Sequence, residues 1–150
     1  DGVDDAIIVK DAPETDFSKG NFTVSGWVIK RSKTSNWGHY SYVGKWDGGA
    51  NPGMNEWSLC LSQKGFDDIP SFVIETQYGL QTVGSKLPLM INKLTHLTGV
   101  RENGNLKIYV DGNLDNSTSV NDDGVSLSYN TTGQNNFIGK SIRSPKSTEL

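Results

Sequence analysis

Cysteine is almost absent from this sequence, and a single cysteine, Cys60, excludes an internal disulfide. Cys60 lies in the alternating segment EWSLCLSQ, a pattern that predicts a small buried hydrophobic residue rather than a reactive thiol. The chain has 150 residues. A domain of that size buries roughly 70% of its unfolded surface, so a hydrophobic core is expected without covalent cross-links.

An excess of basic charge is also missing. The net charge is −3, and the charged residues are spread along the chain rather than clustered. Nucleic acids and anionic membranes bind clustered basic faces, so we expect no nucleic-acid partner. No segment approaches the roughly 18 consecutive apolar residues of a membrane-spanning helix, so we expect no membrane insertion.

The sequence also lacks helical periodicity. Alanine is scarce, and no apolar stripe recurs every three to four residues. Apolar and polar residues alternate instead, and glycine is abundant with 17 residues. Seven alternating segments, each bounded by turn residues, predict strands at 21–31, 40–46, 56–63, 71–77, 95–102, 105–112 and 135–142. Short strands at this spacing predict an all-β, antiparallel sandwich of two sheets.

The clearest local signal is NLKIYVDGNLDNS, in which alternation is interrupted by Asp111-Gly112. This dipeptide suits a type I′ turn because both residues tolerate positive φ, so the segment predicts a hairpin. Together with the strand before it, the hairpin predicts a three-stranded meander over 95–117. The longest segments without alternation, 47–55 and 113–136, are predicted to be long loops.

The strand at 21–31 carries large apolar residues at both alternating sets of positions. This pattern favours a strand in the middle of a sheet, covered on both faces. Accordingly we expect Trp27 to be a core residue, and we expect the same of Trp57 in its own strand.

Several of these segments resemble one known family. The strand FTVSGWV, the hairpin GNLKIYVDG and the strand FIGK, in this order and spacing, are similar to the laminin G-like members of the concanavalin A-like jelly-roll superfamily. The resemblance covers nearly the whole chain and implies one laminin G-like β-sandwich jelly-roll domain at 1–150. In that family the hairpin belongs to the scaffold.

Such domains usually have an apolar strand before a segment like DGVDD and a last strand like Ile-Asp-Glu-Val-Arg. The resemblance therefore implies an excerpt of a longer chain that lacks a first and a last strand, or a domain completed by a partner segment. Loss of these two neighbouring strands would leave an open sheet edge.

Calcium is the one cofactor that the sequence suggests. Asp1, Asp4 and Asp5 offer clustered carboxylate oxygens, which hard cations prefer, and similar positions in the family often hold a structural calcium. The resemblance also implies an Asp from the last strand, which this sequence lacks. A polar turn is the alternative for this segment.

Aromatic and amide side chains surround the glycine-rich segment DGGANPGMNE. Flat amphipathic rings edged by hydrogen-bonding groups suit sugars, because sugar C–H faces stack on rings while hydroxyls are hydrogen-bonded. The candidate ligand-binding residues are Trp37, Tyr40, Trp46, Asp47, Asn51 and Asn55. A flexible loop and ordinary packing are the alternatives.

Catalysis is not expected. Glycoside cleavage needs two carboxylates about 5–9 Å apart, and no strand carries alternating acidic residues. Glu56 and Glu75 are each single in their strands, and His39 and His96 have no nucleophile at a suitable spacing.

The sequence therefore predicts a non-catalytic carbohydrate-binding or adhesion module of a larger extracellular or surface protein. Its partners would be a glycan or glycosylated surface and other domains of its parent chain, at the cell surface, outside the cell or on a virion. The alternative is a structural or interaction domain of a multi-copy assembly, such as a viral fibre or decoration protein. The fold does not choose between them, because this sandwich supports each role.

Overall fold

A computed structural model describes residues 7–12, 14, 17, 20–32, 39–46, 55–62, 68–76, 78–120 and 136–139; for His39, Tyr40, Trp46, Asn55 and Ser62 it describes the backbone alone. Ten strands form the regular structure of this part of the chain. They are β1 (Ile7–Val9), β2 (Phe22–Ile29), β3 (His39–Trp46), β4 (Asn55–Ser62), β5 (Ile69–Thr76), β6 (Gly79–Gly84), β7 (Leu94–Glu102), β8 (Asn105–Val110), β9 (Asn113–Ser119) and β10 (Asn136–Ile138).

The strands form two antiparallel sheets. One has the order β1-β10-β3-β4-β5-β6, and the other has the order β2-β7-β8-β9. Strands β7, β8 and β9 are consecutive in sequence and in space, so the predicted meander is confirmed. The all-β sandwich of two sheets is confirmed as well.

Alternation along the strands directs one set of side chains between the sheets. Trp57 is 4% exposed and Cys60 is fully buried, as the sequence predicts for both. Burial raises the pKa of the Cys60 thiol to about 12, which keeps it protonated and unreactive. The buried apolar residues between the sheets are Trp57, Leu59, Leu61, Phe72, Ile74, Val83, Leu89, Leu97, Leu106 and Ile108.

Strand β2 differs from its prediction. Within the described residues it lies at one end of the four-stranded sheet, and its burial alternates along the strand. Trp27 is 67% exposed, so its prediction as a core residue was wrong. Apolar residues on both faces of a strand give the same sequence pattern whether or not a second layer covers the outer face. The pattern therefore could not predict that the outer face is exposed.

Other differences concern segments with weak alternation. The predicted loop at 113–136 begins with strand β9, which pairs with β8 through Lys107↔Ser117 and Asn105↔Ser119. Strands β1 and β6 were not predicted: β1 has three residues, and β6 carries four polar or glycine positions that break the pattern.

The predicted turn after β8 has the expected geometry, with φ of 50° at Asp111 and 81° at Gly112. The Asp111 carboxylate accepts hydrogen bonds from the His96 backbone N–H at 2.9 Å and from Lys93 Nζ at 2.8 Å. The backbone N–H of Asp111 also donates to the His96 carbonyl at 2.8 Å. These hydrogen bonds hold the turn against the start of β7.

These contacts predict a pH-dependent contribution to stability. Lys93 and the His96 N–H lower the pKa of Asp111 below its ordinary value. The contribution is therefore present above the unfolded-state pKa of about 3.9 and is lost as the pH falls through the lowered folded-state pKa. We expect Asp111→Asn to lower the urea midpoint at pH 7 and to differ little from the wild type in strong acid. An equal difference at both pH values would contradict this assignment.

Candidate binding surfaces

The predicted aromatic and amide residues divide between the two ends of strand β3. Tyr40 pairs with Leu61 near the start of the strand, whereas Trp46 pairs with Asn55 at its end. At a rise of about 3.3 Å per residue, the Cα atoms of Tyr40 and Trp46 are about 20 Å apart. Trp46 and Asn55 come together at the base of the 47–54 connection, but Tyr40 does not join them.

The remaining predicted site residues lie outside the described part of the chain: Trp37, Asp47, Asn51, Asp1, Asp4 and Asp5. Among the residues that the structure does describe, no group of three or more His, Cys, Asp or Glu side chains is arranged to hold a metal ion. The calcium site and the sugar-binding loop therefore stay predictions. In the same described part, no helix is long and apolar enough to cross a membrane.

The outer face of the four-stranded sheet presents an aromatic surface that sequence reasoning missed. Strand register aligns Trp27 with His96, and in the next row Ser25, Thr98 and Tyr109 lie side by side across three strands. We call these five residues the Trp27 face. The missed signal is the mixture at 21–31, where Thr23 and Ser25 share a face with Trp27.

Within the Trp27 face, the indole of Trp27 contacts the His96 imidazole. The ring centroids are 4.9 Å apart and the planes are inclined at 49°. His96 is held in turn by Asp111, whose carboxylate accepts from the His96 backbone N–H and whose own backbone N–H donates to the His96 carbonyl. Trp27 is therefore largely exposed, and one side of its ring contacts His96, whose backbone is held by hydrogen bonds.

Charges around the Trp27 face are paired with one another. Lys93 contacts Asp111 at 2.8 Å, and Lys107 forms an ion pair with Glu102. The bond to Glu102 raises the pKa of Lys107. Because each cation has an adjacent carboxylate, this surface offers little net charge to a ligand.

A second cluster of polar side chains is buried at the six-stranded sheet. Lys45 Nζ is 2.8 Å from Asp11 and 3.4 Å from Glu56. The two carboxylates thus share one ammonium group, which sequence spacing did not suggest. The Lys45 side chain is 0% exposed and that of Glu56 is 1% exposed, so a sugar cannot reach Glu56 in this structure. The arrangement is suited to holding the β1–β2 connection rather than to acid–base chemistry on a glycan.

A further buried ion pair joins the two sheets. Lys30, directly after β2, lies 2.5 Å from Asp68, directly before β5, and both side chains are less than 7% exposed. Sequence analysis missed both buried lysines, although alternation from Val43 places Lys45 on an inward position. Their partners are distant in sequence, so no local pattern could pair them.

Comparison with known proteins identifies the family. A laminin G family model, described as the concanavalin A-like lectin/glucanases superfamily, matches residues 1–148. The chain belongs to this superfamily, which confirms the resemblance of its FTVSGWV, GNLKIYVDG and FIGK segments. No curated protein matches the sequence.

Two solved structures share the fold. One is a Bacteroides ovatus protein provisionally described as carbohydrate binding, with 18% identity and a TM-score of 0.60 over 89% of this chain and 34% of that one. The other is domains LG4-5 of the mouse laminin alpha1 chain, with 13% identity and a TM-score of 0.63 over 97% of this chain and 35% of that one. The present chain therefore spans about a third of each of these structures.

Proposed function

We propose that the chain is a non-catalytic carbohydrate-binding or adhesion module of a larger extracellular or surface protein. Its superfamily includes lectins, and one structural neighbour is provisionally described as carbohydrate binding. Both neighbours are longer than the matched part, which supports a role as one module among others. Its ligand would be a glycan or a glycosylated surface.

The observation that carries this proposal is the pairing of Trp46 with Asn55. The pairing puts an aromatic and an amide residue on adjacent strands at the base of the segment that carries Asp47 and Asn51. Aromatic residues offer a stacking surface for sugars, and amide and carboxylate residues offer the hydrogen bonds that sugar hydroxyls require. Tyr40, near the opposite end of β3, and Trp37, which precedes that strand in sequence, would extend the contact to a longer glycan.

A glycan array tests the proposal with purified protein, with and without calcium. We expect the wild type to bind a defined glycan set and the double variant Trp37→Ala, Trp46→Ala to lose about tenfold or more in affinity. Calcium-dependent binding would support a metal site at Asp1, Asp4 and Asp5. The control is Tyr78→Ala, which removes an exposed aromatic ring elsewhere on the surface.

Failure of the folded wild-type protein to bind any glycan would overturn the proposal. It would favour the alternative, a structural domain of a multi-copy assembly. One observation supports that alternative: Ile7, Ile8 and Val9 are 59%, 59% and 40% exposed on β1, which ends the order of the six-stranded sheet within the described residues. Exposed apolar edge strands promote contact between chains.

A further inference from the structure

We propose that the Trp27 face is a second glycan-binding surface and that its ligand is an uncharged oligosaccharide lying across the strands. The inference rests on the proposed glycan-binding function, but it places a site on the opposite sheet from Trp46 and Asn55. Its residues belong to β2, β7 and β8, all within the described part of the chain.

The first argument is the exposure of Trp27. A tryptophan ring that is 67% exposed leaves apolar area in water, and a ligand that covers this area gains the hydrophobic free energy of its burial. The His96 ring, whose centroid lies 4.9 Å from that of the indole, restricts the motion of the Trp27 side chain. A restricted aromatic ring loses little conformational entropy on binding and offers its free side to the C–H face of a sugar.

The second argument is the row of hydroxyl groups beside the ring. Ser25, Thr98 and Tyr109 are aligned across adjacent strands, so their Cα atoms are spaced by about 5 Å. Their side-chain hydroxyls make no hydrogen bond to any other residue in the part of the chain that the structure describes. Each hydroxyl can donate one hydrogen bond and accept others, which matches the hydroxyls of a sugar.

The third argument is charge. Recognition of sulfated or uronic-acid glycans uses unpaired arginine or lysine side chains. Here Lys93 and Lys107 are already paired with Asp111 and Glu102. A neutral glycan is therefore the complementary ligand, and its binding depends little on salt.

The length of the surface sets the size of the ligand. Tyr109 is two strands away from Trp27 and two residues along, which separates their Cα atoms by about 12 Å. A single sugar on Trp27 does not reach Tyr109, whereas a short oligosaccharide does. We therefore expect affinity to rise with chain length up to the oligosaccharide that spans the row.

The experiment compares five proteins by isothermal titration calorimetry with neutral and anionic polysaccharides at low and high salt. These are the wild type, Trp27→Ala, Thr98→Val, the double variant Trp37→Ala, Trp46→Ala and the control Tyr78→Ala. We expect Trp27→Ala to weaken binding of the neutral glycan by about tenfold or more and Thr98→Val by about threefold or more, with Tyr78→Ala unchanged. Exposure of Trp27 means that its variant should retain the wild-type melting temperature.

Four outcomes would overturn the inference. If the wild type binds a glycan and Trp27→Ala retains that affinity while Trp37→Ala, Trp46→Ala loses it, the Trp27 face is not a site and the proposed function stands. If the wild type forms dimers that Trp27→Ala makes monomeric, and binds no glycan there, the face binds a second copy of the chain. Strictly salt-dependent binding of anionic glycans at Trp27 would refute the neutral ligand. Absence of all glycan binding would remove both proposals.

Discussion

Gly99→Ala is expected to lower the free energy of unfolding by about 1–3 kcal/mol or more. A Cβ atom at position 99 of strand β7 would lie 2.5 Å from two ring atoms of Phe72 and 3.0 Å from its Cβ. Phe72 is fully buried in the opposite sheet, so its ring cannot move into solvent. The two sheets approach each other closely here because position 99 has no side chain, and close-packed interiors have no spare volume for a methyl group.

Gly26→Ala is the matched control, since Gly26 lies on the neighbouring strand and a Cβ there would meet nothing within 4 Å. We expect it to be neutral or to stabilise by up to about 1 kcal/mol. Phe72→Leu combined with Gly99→Ala should cost less than the sum of the two single changes, because the smaller side chain leaves room for the methyl group. Equal urea midpoints for Gly99→Ala and Gly26→Ala would refute the contact.

Lys45→Met is expected to lower the free energy of unfolding by about 3–5 kcal/mol. The side chain of Lys45 is fully buried and neutralises Glu56, which is itself 1% exposed. Removing the ammonium takes away the positive charge that lies 3.4 Å from the buried Glu56 carboxylate. Asp11, at 21% exposure, can turn part of its carboxylate to water and contributes less to the loss.

Chemical denaturation of the double variant Lys45→Met, Glu56→Gln separates the loss of stability caused by charge from the loss caused by altered packing. If the uncompensated carboxylate causes the loss, neutralising it should recover a large part of the stability. The control is Lys93→Met, whose ion pair with Asp111 is exposed and worth at most about 1 kcal/mol. The assignment fails if Lys45→Met costs no more than this control.

Local signals predicted the scaffold well. Alternation placed Leu97, Gly99 and Arg101 on one face of their strand, and all three are buried. Asp111-Gly112 predicted a turn with two positive φ values, and both are present. These features depend on residues within a few positions of each other, which is why sequence alone could predict them.

Contacts between distant residues could not be predicted in this way. Lys45 is paired with Asp11, 34 positions away, and no local pattern identifies that partner. The exposure of Trp27 depends on whether another part of the chain covers the outer face of β2, and the residue pattern of β2 carries no information about that. For the candidate sugar site, residue type suggested Tyr40 and Trp46 as one cluster, but the length of β3 separates them.

The order of strands in the six-stranded sheet has a consequence for folding on the ribosome. Strand β10 lies between β1 and β3, pairing Phe137 with both Ile8 and Gly44. Strand β1 is therefore synthesised long before β10, which is its neighbour in this sheet among the residues that the structure describes. The β7–β9 meander has only short connections and can form before that. The apolar strand Ile7–Val9 would stay unpaired with β10 while the intervening chain is synthesised. In that interval a nascent protein of this topology is most accessible to chaperones and most prone to misassembly with a neighbouring chain.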